Sequence, residues 1–260
     1  IYDRSAAMDL GLQGKRAIVT GGSKGIGRRV VDLLVAEGCD VGFCARNEAD
    51  VVDALAVLSK GAARVVGGVA DVTDDVVFRG WMKETIAALG GLDILVANAS
   101  SLVAGADEAA WQEGLDVDIL GTVRAVEEAQ PHLEASECGS IVSVSSTAAV
   151  NVSGGIRAYS GVKAALISYM SGISTNLAGK GIRANTVSPS AVYFEGGVWD
   201  RNKTEDPARY EMAEKRNPMG RFCAPEEVAN GVVFLASPAA SYISGVNLVI
   251  DGAATTRIQF

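Results

Sequence analysis

The chain has 260 residues, 48% of them hydrophobic, with 30 glycines, which suits one large α/β core with many tight turns. A formal charge of −8 argues against nucleic-acid binding and against attachment to an acidic membrane, since both need a basic surface. Apolar stretches end well short of the roughly 20 residues that cross a bilayer, and Ile1 to Ala7 lack the apolar core of a secretory signal, so a cytoplasmic protein is expected.

Met8-Asp9-Leu10-Gly11-Leu12 reads as a natural start, which makes residues 1–7 an extension and residues 8–260 a single domain. Arg16 to Thr20 predicts a short strand, and Gly21 to Gly27 a glycine-rich turn. Val30, Val31, Leu33, Leu34 and Val35 then mark a helix stopped at Gly38. The cycle repeats as a strand near Asp40 to Ala45, a helix near Glu48 to Leu58, a strand near Arg64 to Gly68, a helix near Asp74 to Leu89 and a strand at Leu92 to Ala97. A long helix from about Trp111 to Leu133 follows, then a strand at Ser140 to Ser145, a helix from about Arg157 to Leu177 and a strand at Arg183 to Ser188. Pro225 to Leu235 reads as a helix and Asn247 to Ile250 as a last strand. This alternation means a parallel sheet with helices on both faces. Ala191 to Phe222 interrupts it just after a strand's carboxyl end, where ligands bind in doubly wound sheets, and reads as a substrate lid.

The four cysteines, Cys39, Cys44, Cys138 and Cys223, form no CxxC pair, and the single histidine, His132, sits near a helix end. Neither a metal site nor a Cys/His nucleophilic centre can be assembled from them. Other residues carry more chemistry. A glycine-rich turn between a first strand and a first helix lets the backbone approach a pyrophosphate, and the helix N-terminus adds free N–H groups. Tyr159 and Lys163 lie four residues apart, on one face of a predicted helix. An ammonium about 4 Å from a phenol favours the phenolate by up to about 4 kcal/mol at an effective dielectric near 20, so such a pair suits general acid/base catalysis.

On these motifs the chain resembles the classical short-chain dehydrogenase/reductase family. The fingerprint T-G-x-x-x-G-x-G is met by Thr20-Gly21-Gly22-Ser23-Lys24-Gly25-Ile26-Gly27, and Y-x-x-x-K by Tyr159 and Lys163. The family's serine, thirteen positions before the tyrosine, falls on Ser146. The resemblance implies a single Rossmann-type doubly wound fold with a seven-stranded parallel sheet flanked by helices, a nicotinamide dinucleotide and a homotetramer. It also implies roles for particular residues. Ser146 binds the substrate oxygen, Tyr159 transfers the proton, and Lys163 tunes the tyrosine and holds the nicotinamide ribose. Asp71, beside Val72, contacts the adenine, and Asn98 stabilises the sheet next to the cofactor.

Three departures stand out. Ser100 replaces a glycine in Ala97-Asn98-Ala99-Ser100. Pro189-Ser190-Ala191-Val192-Tyr193-Phe194 lacks the family's threonine, which leaves Val192 backbone groups to hold the carboxamide. Asp118 occupies the fourth catalytic position, normally asparagine, where the backbone carbonyl is expected to matter. At the end of the second strand Ala45 stands where NAD-preferring members carry an aspartate, and Arg46 with Lys24 can surround a 2′-phosphate. NADP(H) is therefore expected over NAD(H), with Ser100, Ser101, Leu102, Val152, Tyr193, Phe194 and Trp199 as walls for a small hydrophobic ketone, aldehyde or alcohol. Two rival readings are a 3-oxoacyl carrier-protein reductase, which needs a basic patch such as Arg201, Lys203, Lys215 and Arg216, and a non-catalytic NADP-binding regulatory module.

Overall fold

In the computed structural model, residues 9–151 and 155–256 are described. Seven parallel strands form one sheet in the order β3-β2-β1-β4-β5-β6-β7. They are β1 (Arg16–Thr20), β2 (Asp40–Ala45), β3 (Val65–Val69), β4 (Ile94–Ala97), β5 (Ser140–Val144), β6 (Arg183–Pro189) and β7 (Asn247–Ile250). The central strands β4 and β5 are buried along their whole length, which is why β4 reads as an unbroken apolar run and β5 carries no charge, its Ser143 hydroxyl paired with Thr186 of β6.

Helices cover both faces. On one side α1 (Gly25–Ala36) and α9 (Pro225–Ala236) press Val30, Val31, Leu34, Val228 and Val232 onto the sheet. On the other, α3 (Asp75–Leu89), α5 (Gly121–Glu134) and α6 (Ala158–Leu177) bring Phe78, Met82, Val126, Leu166 and Met170. Polar side chains start several helices: Asn47 accepts from the Asp50 amide at the head of α2 (Glu48–Leu58), Asp74 from Val77, and Asp107 from Ala110 at the head of α4 (Glu108–Gly114). Each such cap contributes about 1 kcal/mol.

Two regions differ from expectation. The predicted helix from Trp111 to Leu133 is three pieces, because α4 begins earlier, behind its Asp107 cap, and a π turn at Leu115–Leu120 separates it from α5. There the Thr122 hydroxyl donates to the Asp118 carbonyl at 2.7 Å, a side chain inserted into the helical ladder. The segment 191–222 is not an irregular excursion. It holds α7 (Val198–Glu205) and α8 (Pro207–Arg216), the latter capped by Asp206, and a bridge between Val192 and Cys223 closes its base.

Among the described residues, no helix is long and apolar enough to cross a membrane, and no cluster of three or more His, Cys, Asp or Glu could hold a metal ion.

Candidate active site

Strand order reverses between β1 and β4, so the chain leaves these neighbours in opposite directions and opens a crevice at their carboxyl ends. The glycine-rich turn after β1 forms its floor. Gly21 has φ +66°, in the left-handed region, and a Cβ on Gly27 would lie 2.2 Å from the Gly21 carbonyl oxygen. Only glycine lets α1 start this close to the turn. Asn98, at the end of β4, locks the turn: its amide donates to the carbonyls of Thr20 and Gly21, both at 3.0 Å. In return the Thr20 hydroxyl accepts from the amides of Asn98 and Ala99, both at 3.1 Å.

Two cavities of about 430 and 240 Å³ adjoin here, sharing Gly21, Arg46, Ala99 and Ser100. The smaller is lined by Ser23, Arg46, Asp71 and Val72 among others, and the Asp71 carboxylate is held by the amide and hydroxyl of Thr73. The larger runs from Lys24, Gly25, Ile26 and Gly27 to Ser146, Tyr159 and Lys163, with Pro189, Val192, Phe194 and Trp199 on its far wall. Arg46 is exposed at the junction. Lys24, across from it, forms an ion pair with Asp50 at 2.8 Å, a contact that the sequence reading had not included.

Ser146, Tyr159 and Lys163 thus meet at one cavity although the segment after β5 supplies the first and α6 the others. Ser146 Oγ accepts from the Ala148 amide at 3.1 Å, which leaves its own O–H to donate. The Lys163 ammonium is 5.8 Å from the centre of the Tyr159 ring and donates to the Val144 carbonyl at 2.9 Å. It also lies 2.8 Å from Asp118 Oδ1, in an ion pair whose side chains are only 2% and 1% exposed. The second Asp118 oxygen accepts from the Ser101 amide and hydroxyl, at 3.0 and 3.1 Å. Burial raises the Asp118 carboxyl, but the Lys163 charge and the hydrogen bonds outweigh it and hold the group below the usual carboxylate range. The Asp118 side chain, not only its carbonyl, reaches Lys163.

Other expected wall residues are placed differently. Ser100 and Leu102 line the cavity, whereas Ser101 turns to Asp118. Tyr193 does not line it; its hydroxyl donates to Asp200 at 2.7 Å, and its ring joins Tyr210 and Phe222 inside segment 191–222. Trp199 reaches the cavity from a perch on Phe222, with ring centres 5.2 Å apart. Phe194 lies on the glycine turn, so that a Cβ on Gly25 would be 2.6 Å from its ring. Val152 lies outside the described residues. Cavity residues not expected to line it include Ser190, Gly196, Gly197 and Arg201, the last read only as part of a basic patch; the Gly196-Gly197 pair after an aromatic run was the available signal.

The free polar groups test whether a nicotinamide dinucleotide suits this crevice. Cys223 pairs with the residues on either side of Val192, so the Val192 N–H and C=O have no partner among the described residues and stand at the cavity wall. The Ser190 hydroxyl is likewise buried and unpaired. A carboxamide needs one acceptor and one donor, and the turn at the head of α1 offers N–H groups to a pyrophosphate, so the residues fit.

A parallel doubly wound sheet with this crevice is a Rossmann-type dinucleotide-binding fold. A family model described as Enoyl-(Acyl carrier protein) reductase matches residues 21–255. The isoepoxydon dehydrogenase of Penicillium expansum is 34% identical over 254 residues, 96% of this chain and 98% of that one. An NADPH-bound short-chain oxidoreductase of Pseudomonas aeruginosa, described as containing an atypical catalytic center, superposes with a TM-score of 0.88 at 30% identity and covers 95% of this chain and 99% of its own. A Burkholderia cenocepacia short-chain dehydrogenase in complex with NADP gives 0.85 at 32% identity, over 94% and 99%. The chain belongs to the short-chain dehydrogenase/reductase family.

Proposed function

We propose that this chain is an NADP-dependent oxidoreductase that interconverts a ketone or aldehyde and an alcohol, acting as a reductase in the cytoplasm as a homotetramer. The observation that carries the reading is the convergence of Ser146, Tyr159 and Lys163 on a cavity continuous with the glycine turn. Gly21, Ser23, Gly25, Ile26 and Gly27 would hold the pyrophosphate side of the cofactor, and Asp71 with Val72 the adenine. Val192 and Pro189 would flank the carboxamide. When bound, the nicotinamide supplies or accepts the hydride.

The protein's own groups handle the proton. Ser146 donates its free O–H to the substrate oxygen, and Tyr159 gives that oxygen its proton as negative charge develops there. Lys163 has three N–H donors, one on Val144 and one on Asp118, which leaves one for the cofactor side of the cavity. Leu102, Phe194 and Trp199 provide apolar wall, which suits a hydrophobic carbonyl compound. The NADP preference rests on Arg46, which has no ion-pair partner among the described residues, and on Lys24. Its pair with Asp50 is exposed and worth under about 1 kcal/mol, less than a charge-assisted phosphate contact of roughly 1.5–3 kcal/mol, so a phosphate wins the ammonium.

A panel of ketones, aldehydes and alcohols followed at 340 nm with each nucleotide tests the reading. Turnover with NADPH on at least one apolar carbonyl supports it. Binding of NADPH with no turnover across the panel would favour the regulatory module instead.

A further inference from the structure

The Asp118 carboxylate has a position that its expected role does not explain. It is buried, it joins the π turn to α6 through Lys163, and it joins the same turn to the loop after β4 through Ser101. The two contacts use different oxygens, and both partners are donors. An asparagine would present its one oxygen to one side and an NH2 donor to the other, so it would lose either the Lys163 contact or the Ser101 amide bond, whereas the carboxylate keeps both.

What Asp118 holds on its loop side is part of the cavity. Ser101 Oγ, while donating to Asp118, accepts from the Val103 amide at 3.3 Å, and Ser100 Oγ accepts from the Leu102 amide at 3.3 Å. Between them Leu102 is held at φ +53°, a left-handed conformation unfavourable for a residue with a side chain, and it lines the cavity. Such strain persists only where neighbours over-determine it, and the Asp118 contact is the loop's link to the catalytic helix.

We propose that Asp118 is a positioning residue whose carboxylate couples Lys163 to the Ser100–Val103 loop, so that the placement of the ammonium and of the Leu102 substrate wall are set together. This rests on the oxidoreductase reading for its catalytic consequence, but not for the coupling itself. The charged or titratable groups facing the carboxylate from the elements around it are Lys163 and, beyond the ammonium, Tyr159, both on α6. Asp116, on the same π turn, is bonded to Gln112 on α4 instead.

Hydrogen exchange tests the coupling without any substrate. In Asp118→Asn the amides of residues 101–103 should exchange about tenfold faster than in the wild type. In Lys163→Met, which alters only the far end of the bridge, the same amides should also speed up. Unchanged protection of 101–103 in Lys163→Met, with both variants folded by circular dichroism, would overturn the coupling. Ser101→Ala, a substitution at the partly buried loop end, covers the case in which the buried variants fail to fold: beyond Val103, whose amide loses its own acceptor, it should speed exchange at Leu102, and unchanged exchange at Leu102 would overturn the proposal.

Kinetics supply the second arm. Ser101→Ala should raise KM for the carbonyl substrate several-fold with little change in NADPH affinity. Asp118→Asn should lower kcat and raise KM for the carbonyl substrate together, because the ammonium and the Leu102 wall lose their shared support. A merely structural role would lower stability and leave both constants in place. If the wild type turns over nothing, the oxidoreductase reading fails while the exchange data still decide the coupling.

Discussion

Arg46 and Lys24 are the residues on which cofactor choice turns, and their surroundings make them unequal. Arg46 is an uncommitted guanidinium at the junction of the two cavities, while Lys24 must leave Asp50 to serve. NADPH should bind at least tenfold tighter than NADH, a difference of about 1.4 kcal/mol that one phosphate contact can supply. Arg46→Ala should erase most of that preference and Lys24→Ala a smaller part. Asp50→Ala should increase it, because it frees the ammonium. Fluorescence titration of the four proteins with both nucleotides checks this, and equal affinities in the wild type would refute it. The role of Asp50 was not legible in the sequence, because it depends on α2 starting at its Asn47 cap and turning the Asp50 side chain back toward the glycine turn.

Among the elements, segment 191–222 was the least legible. It read as an interruption of the strand–helix alternation, yet Asp206-Pro207 is a helix start by cap and by proline, and the segment folds into α7 and α8 around Tyr193, Tyr210 and Phe222. The aromatic residues therefore divide: Phe194 and Trp199 face the cavity, and Tyr193 holds the segment together. Phe194 rests on Gly25, where the nucleotide has to approach the turn, so Phe194→Ala should speed NADPH association several-fold in stopped-flow fluorescence. An unchanged rate would mean that the ring does not stand in the way. Trp199→Ala removes the packing on Phe222 and the contact with Arg209, and should speed amide exchange across α8 in the free protein. The long helix from Trp111 was anticipated, but not its π turn. The hydrophobic period of the segment is nearly the same with or without one wide turn, and only the inserted Thr122 hydroxyl reveals it.

At the scale of the whole molecule, strands were the most legible feature: each of the seven was anticipated to within about two residues, because each is a short run rich in apolar, β-branched residues between turn residues. Contacts that join distant segments were not: the family resemblance placed Asp118 with the catalytic residues through its backbone carbonyl, but nothing in its local pattern shows that its carboxylate reaches Lys163. The same holds for Arg16 and Asp93, which tie the start of β1 to the segment before β4. Two guanidinium contacts, at 2.8 and 2.9 Å, and the Arg16 amide, at 2.9 Å, reach the carboxylate, and Ser136 adds a fourth bond at 2.6 Å. Burial raises the Asp93 carboxyl, but those bonds and the Arg16 charge outweigh it and keep it below the ordinary value. A depressed carboxyl stabilises the fold fully above its unfolded value of about 4 and stops doing so as pH falls through its folded value. Asp93→Asn should therefore cost about 2 kcal/mol near neutral pH, discounted for the partly exposed Arg16, and lower Tm by roughly 4–8 °C. That gap should narrow as pH drops below about 4; a constant gap would show that the charge is not what matters.

The most direct measurement of the central claim compares wild type with Tyr159→Phe in NADPH-dependent carbonyl reduction, alongside the NADPH affinity of each. The substitution removes one hydroxyl and leaves the ring against Lys163. The account predicts a loss of about 10² or more in kcat with NADPH binding nearly unchanged. A variant that kept more than about a tenth of wild-type kcat would contradict it, since the proton would then come from elsewhere.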